Sequence, residues 1–274
     1  MAAPPQVRWG AVGSLSLNVI LCSYFQDPHF FAAICQDSRQ LYDFKTHSTT
    51  YRHLPFHVQS GYIQVDRTTA LIVGKEVLTL DILTLHTTPL APLLTPRDEA
   101  GVAQVGTTVF AFGGSYPPLT VCEKSSVPIT QWTPLPPMHH PRCNFTPCAF
   151  QALLYLISTY ATDHRAVESF SPYTETFTVL PVSLPPNLNL GWSSVAFVAK
   201  GELFLLTENK QMARWKVGES HLRVSATDRR CSSFHPPLIV GTQVYIANKN
   251  GLKLEKWSLE AGRFVLVPKS TRPN

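Results

Sequence analysis

Apolar residues in this chain occur in short runs, separated by polar segments that contain Gly and Pro. Runs of this length, bounded by turn residues, are typical of β-strands and too short for the helices of a globular domain. Six of them are the most apolar, and we predict that each is the second strand of a repeated unit. Their first residues lie about 40 to 50 positions apart, within the range of multi-stranded repeats. The six predicted second strands are residues 30–34, 70–73, 109–112, 153–157, 202–206 and 243–247.

Each second strand is followed by a run that we predict to be the third strand of the same unit. Leu-Pro or Val-Pro pairs, such as Leu135-Pro136 and Val267-Pro268, mark the ends of several fourth strands. Further apolar runs, such as residues 193–198, precede the second strands and complete the units. Six units of four strands fit between Ser14 and Lys269. The predicted third strands are residues 41–44, 78–83, 121–127, 167–172, 212–217 and 254–259.

The third unit carries the most specific motif. Its apolar second strand ends in Gly113-Gly114, a turn and a third strand follow, and Trp132 precedes the closing Leu135-Pro136. This order resembles a kelch repeat, which forms one four-stranded blade of a propeller. The resemblance implies an all-β protein that folds as a six-bladed β-propeller of four-stranded antiparallel blades. The other five units lack the diglycine at this position.

The predicted propeller takes up residues 14–269. Residues 1–13, which contain the apolar stretch 7–12, are expected to be a lead-in or a closing strand, and residues 270–274 form a C-terminal tail. A single blade cannot bury both faces of its sheet, so neighbouring blades must pack face to face. We predict that the recurring aromatic residues of the third and fourth strands lie between blades: Tyr42, Trp132, Phe170, Phe177, Trp215 and Trp257.

Composition favours one globular domain. Charged residues make up 15% and hydrophobic residues 44% of the 274 residues, so apolar side chains suffice for a continuous core. The formal net charge of +5 is spread along the chain, and Arg229-Arg230 is its one adjacent basic pair. Nucleic-acid binding usually needs a denser basic patch. No run is long and apolar enough for a transmembrane helix, so we expect neither a nucleic-acid nor a membrane partner.

The cysteines do not indicate a metal site. Their spacings include no CxxC pair, and His139-His140 has no zinc-ligand spacing to Cys143 and Cys148. Cys22, Cys35 and Cys148 lie in apolar runs, where a cysteine packs as a small hydrophobic residue. We therefore expect reduced thiols, no metal and a cytoplasmic location.

Catalytic motifs are also missing from the sequence: it has no GxSxG elbow, no HExxH and no phosphate-binding glycine loop. The alternative is a propeller enzyme, either a copper-type oxidase or a hydrolase. Copper would take tyrosine and histidine ligands, but His164, His221 and His235 fall in different units. We predict a protein that is not an enzyme and holds no cofactor.

We expect the chain to be a protein–protein interaction scaffold or adaptor. In an up-and-down blade, the turn between the second and third strands and the connection to the next blade emerge at the same end. Kelch relatives commonly receive their partner at this end, and arginine side chains there would bind carboxylates of an acidic partner segment. The alternative is that these arginines are ordinary solvated loop charges. The predicted binding residues are Arg39, Arg97, Arg142, Arg165, Arg229 and Arg230.

Overall fold

The structure, a computed structural model of the chain, describes residues 61–227 except for 67–68, 82–83, 85, 115–116, 144, 146, 158–164, 189, 191–193 and 208. On either side it describes strands alone, at residues 7–11, 20–23, 30–35, 38–43 and 48–53 and at residues 238–240, 243–247, 254–258 and 263–266. Within these ranges the chain is all β. None of the described residues forms a helix long and apolar enough to cross a bilayer.

The strands follow one another in consecutive sets of four, which we number units 1 to 6. They are preceded by one further strand, β1 (Val7–Ala11). Unit 1 contains β2 (Ile20–Ser23), β3 (Phe30–Cys35), β4 (Ser38–Asp43) and β5 (Ser48–His53). Unit 2 contains β6 (Gly61–Gln64), β7 (Thr69–Val73), β8 (Val77–Asp81) and β9 (Thr87–Pro89). Unit 3 contains β10 (Gly101–Val105), β11 (Thr108–Phe112), β12 (Cys122–Ser126) and β13 (Thr133–Leu135).

The second half of the chain repeats this arrangement. Unit 4 contains β14 (Cys148–Phe150), β15 (Leu153–Leu156), β16 (Ala166–Ser171) and β17 (Thr176–Ser183). Unit 5 contains β18 (Val195–Ala199), β19 (Glu202–Leu206), β20 (Gln211–Trp215) and β21 (Arg223–Ala226). Unit 6 contains β22 (Leu238–Val240), β23 (Gln243–Ala247), β24 (Leu254–Ser258) and β25 (Arg263–Leu266). In every unit each strand pairs antiparallel with the next one along the chain.

Strand β1 changes the expected blade count. Units 1, 4, 5 and 6 each form a separate four-stranded sheet, but β1 joins units 2 and 3 into one nine-stranded sheet. Trp9 of β1 pairs with Ala103 of β10, and Gly10 pairs with Ile63 of β6. The structure therefore has four separate four-stranded blades, and the prediction of six is wrong. The reason is that the first strands of units 2 and 3 both had a free edge, and residues 7–11 pair with both.

The core lies between neighbouring units rather than within one sheet. Phe110 and Phe112 of unit 3 contact Phe170 of unit 4 edge-on, at ring-centroid distances of 5.4 and 5.2 Å. Tyr155 of unit 4 meets Trp215 of unit 5 in the same way at 5.6 Å. These rings fill the space between two sheet faces, as expected when blades pack face to face. The prediction that aromatic residues of the third strands lie between blades is confirmed for Phe170 and Trp215.

Further buried clusters continue this packing in chain order. Ile63 of unit 2 packs with Val102 of unit 3, and Phe197 of unit 5 packs with Val244 of unit 6. Strand β2 lies beside β22, so the first and last units are also neighbours. The described chain is thus an all-β propeller with four-stranded antiparallel blades.

Candidate functional site

The end of the propeller that carries the turns between second and third strands and the connections between units is called the crossover end. Among the described residues it includes 74–76, 90–100, 113–114, 117–121, 136–143, 165, 184–188 and 209–210. Two buried ion pairs lie at this end, one in unit 3 and one in unit 4.

The first ion pair fastens the connection between units 2 and 3. Arg97 in this connection has a side chain that is 0% exposed, and its Nη1 pairs with the Glu123 carboxylate on β12. Its Nε donates to the carbonyl oxygen of Gly113 at 2.6 Å, and Nη2 donates to that of Ala111 at 3.2 Å. The guanidinium therefore ties the connection to the second and third strands of unit 3.

Glu123 also binds the backbone of the same connection. Its Oε2 accepts a hydrogen bond from the Leu94 N–H at 2.7 Å, and its Oε1 accepts one from the Thr95 N–H at 3.1 Å. We call this set, formed by Arg97, Glu123 and the two backbone N–H groups, the unit 3 clasp. It leaves the connection with little freedom to move without breaking a buried charge pair.

Unit 4 contains the same arrangement. Nη2 of Arg142 lies 2.9 Å from Oε1 of Glu168, and both side chains are 0% exposed. The carboxylate accepts hydrogen bonds from the N–H groups of His139 at 2.9 Å and His140 at 3.1 Å. The three contacts span 26, 29 and 28 residues in this unit 4 clasp, as they do in the unit 3 clasp. The clasp is therefore a repeated element of the fold.

In both clasps the ion pair and the backbone hydrogen bonds offset the cost of burying the glutamate carboxylate. A buried carboxylate or guanidinium is costly unless it is paired and its remaining hydrogen-bonding groups are satisfied. Burial alone would raise the pKa of Glu168. The His139 backbone N–H and the Arg142 guanidinium outweigh that effect and hold the pKa below its usual value, so Glu168 is a carboxylate.

This geometry corrects the predicted role of two arginines. Arg97 and Arg142 lie at the crossover end as expected, but both side chains are fully buried and bind their own chain. Neither guanidinium is accessible to a carboxylate of another protein. The physical reason is that each arginine has a glutamate on the third strand of its own unit. The ion pair with this glutamate stabilises the buried guanidinium in place of solvent.

The structure separates the other four predicted arginines. Arg165 lies at the crossover end, half-buried, and its Nη1 donates to the carbonyl oxygens of Pro185 at 2.6 Å and Leu188 at 3.1 Å. Arg39 belongs to β4, paired with Ile34 of β3, and so lies in a strand rather than in the expected loop. Two predicted residues, Arg229 and Arg230, lie outside the described residues.

The diglycine of unit 3 packs against the connection between units 3 and 4. Gly113 and Gly114 have φ angles of 54° and 103°, in the left-handed region that favours glycine. The Gly114 N–H donates to the Arg142 carbonyl oxygen at 2.8 Å. A Cβ on Gly114 would lie 2.5 Å from the Asp98 carbonyl oxygen, and one on Gly113 would clash with that of Arg142. Glycine is required here because the backbones of two connections approach it closely.

Residues 98 and 99 link unit 3 to both neighbours. Asp98 pairs with Lys75 of unit 2, with Nζ 2.9 Å from Oδ2. Glu99 is 6% exposed and accepts a hydrogen bond from the Cys143 thiol of the next connection. Burial, with a further contribution from the negative charge of Asp98, raises the pKa of Glu99 to about 7. Its Oε2 has no hydrogen-bond partner among the described residues. Few hydrogen bonds therefore offset the cost of burying Glu99 in its charged form.

Three cysteines with described side chains, Cys122, Cys143 and Cys148, are buried thiols. Burial raises the pKa of Cys122 to about 12 and also raises that of Cys148. Thiols of this kind are poor nucleophiles, because the thiolate is the reactive form. Across the part of the chain that the structure describes, no three His, Cys, Asp or Glu side chains are grouped as metal ligands.

Two exposed side chains at the crossover end were not predicted as site residues. Leu94 is 59% exposed, and the His139 side chain is 51% exposed. They occupy the same position, three residues before the clasp arginine, in consecutive units. A signal was present in the sequence: Pro96-Arg97 and Pro141-Arg142 each precede a third-strand glutamate by the same interval. This interval can be interpreted only when it is known which residues of separate strands are in contact.

Comparison with known proteins adds no assignment. No protein-family model matches the sequence, and no curated protein matches it.

Proposed function

We propose that this chain is a kelch-type propeller that binds a protein partner at its crossover end and catalyses no reaction. The observation that carries the proposal is the pair of clasps. The buried clasps hold two consecutive connections in place, and the side chains of Leu94 and His139 in these connections are exposed to solvent. A surface that is rigid before binding loses less conformational entropy when a partner docks. The kelch assignment is supported by Gly113-Gly114, whose close backbone contacts allow no side chain.

An acidic segment remains the partner that we propose. With Arg97 and Arg142 buried, the support comes from other cations at the crossover end. Lys75 has a side chain that is 73% exposed, although Asp98 partly neutralises it. Lys210 is exposed in the turn between β19 and β20, and Arg165 is half-buried near the same end. Exposed lysines attract carboxylates over several ångströms, and salt weakens this attraction.

We also place the protein in the cytoplasm. Support comes from the buried thiols Cys122, Cys143 and Cys148, since reduced cysteines persist in a reducing compartment.

The proposal is tested by capture with the full chain as bait in its native cells. The test variant carries Leu94→Glu and Lys210→Glu at the crossover end. The matched control carries Tyr173→Glu and Lys216→Glu in turns at the opposite end, where Tyr173 is 68% exposed. Both variants exchange one apolar and one lysine side chain for glutamate, so their net charges are equal.

We expect the same proteins to be captured by the wild-type chain and by the control, and to be lost with the test variant. The captured set should also shrink as salt is raised. Loss with the control and retention with the test variant would move the site to the opposite end. Equal capture by all three proteins would refute a site at either end.

A further inference from the structure

The outer edge of unit 4 differs from the outer edges of the other units. Its fourth strand, β17, lies at the end of the sheet order β14-β15-β16-β17, so one edge of β17 pairs with none of the described strands. β17 has eight residues, whereas the other fourth strands have three to six. A free strand edge presents unpaired backbone N–H and C=O groups, which can pair with a strand of another chain.

The usual protection of a free edge is weak in β17. Natural proteins keep such strands short or place charged residues on them. The fourth strands β9 and β13 are short, and β5, β21 and β25 each contain an arginine. β17, with the sequence TFTVLPVS, has no charged residue. Pro181 has no N–H to donate and interrupts pairing at its own position. Residues 176–180 therefore remain able to pair with another strand.

This segment is also open to solvent. Thr176 and Thr178 are exposed, and Phe177 and Leu180 are half-buried. Val179 is 42% exposed, and it is the one exposed large hydrophobic residue that lies in a strand among the residues whose side chains the structure describes. An apolar side chain on an uncharged, accessible edge favours association with another strand.

The segment is complementary to a second copy of itself. Its middle residue is Thr178. When two copies pair antiparallel about this residue, Thr178 lies opposite Thr178 of the other copy, and Phe177 lies opposite Val179. Threonine pairs and pairs of an aromatic with a β-branched residue are favourable across two strands. Like charges, which would oppose the pairing of identical strands, are missing from the segment.

We infer that two copies of this chain associate through β17, antiparallel and with Thr178 on the two-fold axis, so that the two copies of unit 4 form one continuous sheet. This inference does not depend on the proposed function. A contact of five residues from each copy buries less than the roughly 1,200 Å² of a standard interface, so the dimer dissociates on dilution. Because the paired strands run in opposite directions, the crossover ends of the two copies point to opposite sides of the dimer.

The register is tested with the full chain carrying Thr178→Cys under mild oxidation. We expect a disulfide between two copies, because residues on the two-fold axis lie directly opposite each other, with Cβ atoms about 5 Å apart. The matched control is Thr176→Cys, at another exposed threonine of β17. Since Thr176 would lie opposite Leu180 of the other copy, the two control cysteines would be separated by about 13 Å along the strand, too far for a disulfide. Equal cross-linking of the two variants, or no cross-linking of Thr178→Cys, would overturn the inference.

The association itself is tested by sedimentation velocity of the full chain over a wide range of concentrations. The dimer fraction of the wild type should rise with concentration, and Val179→Lys should stay monomeric because it places two lysines on the paired edges. Val127→Lys makes the same exchange at a valine that is 37% exposed in the turn after β12, and it should dimerise as the wild type does. A wild type that is monomeric at every concentration, or a Val179→Lys variant that dimerises equally well, refutes the inference. Disulfides from Thr178→Cys to a different protein in place of a second copy would refute it as well.

Discussion

Glu99 gives the sharpest test of the electrostatics at the crossover end. Its carboxyl group is buried, lies beside Asp98 and has a pKa of about 7 in the folded protein, against an ordinary value of 4.5. The folded state therefore prefers the protonated acid. The substitution Glu99→Gln keeps the shape of the side chain and removes its titration.

The sign and size of the effect of Glu99 on the free energy of unfolding follow from the difference between its pKa in the folded and unfolded states. Below pH 4.5 the carboxyl is protonated in both states, and Glu99 imposes no charge penalty. Between pH 4.5 and about 7 the unfolded chain releases the proton more readily, so the free energy of unfolding falls with rising pH. At about 1.4 kcal/mol per pH unit over a shift from 4.5 to about 7, the total is at most about 3.5 kcal/mol, reached above pH 7. Since Gln carries no charge, Glu99→Gln should recover much of this stability at pH 8 and little at pH 4.5.

Urea unfolding of the wild type and the variant at pH 4.5, 6 and 8 measures the difference. Glu76→Gln is the matched control, because Glu76 is exposed in the nearby turn between β7 and β8, and its substitution should leave the free energy of unfolding unchanged within about 0.5 kcal/mol. A Glu99→Gln variant that is no more stable than the wild type at pH 8, or whose gain does not grow with pH, would refute the reasoning.

Two further predictions concern the buried groups. Glu123→Gln should lower the free energy of unfolding by about 3–5 kcal/mol, since it leaves Arg97 charged and buried without its partner; a loss below about 1 kcal/mol in chemical denaturation would contradict this. Cys122 should react with iodoacetamide only after the chain is unfolded, as mass spectrometry of alkylated peptides can show, and equal labelling of the native protein would contradict its burial.

The sequence predicted the strands well because their pattern is local. The predicted strands at 202–206 and 243–247 coincide with β19 and β23, and those at 109–112 and 153–157 differ from β11 and β15 by one residue. A buried strand needs apolar residues at consecutive positions, and that requirement is visible without knowing its neighbours. The third strand of unit 1 was predicted to begin at Leu41, but β4 begins at Ser38. Its polar first residues pair with β3 through their backbone, which hydrophobicity does not report.

Features that depend on distant contacts were not predictable in the same way. An arginine in a loop looks alike in sequence whether it faces solvent or, like Arg97, reaches a glutamate on another strand. The position of β1 was equally hidden, because an apolar N-terminal stretch fits any free strand edge. Here it pairs with β6 and β10, not with the last unit. The contact of His139 with Glu168 could not be predicted either, because the two residues lie 29 positions apart on separate segments.

The central claim is that the crossover end receives an acidic segment of a protein partner. Zero-length carbodiimide cross-linking tests it most directly, because it joins a carboxylate of one protein to a lysine that it touches in the other. The chain presents Lys75 and Lys210 at the crossover end, and Lys200 and Lys216 in turns at the opposite end. For the purified complex, we predict that peptides linked to the partner contain Lys75 or Lys210. Links confined to Lys200 and Lys216 would contradict the account.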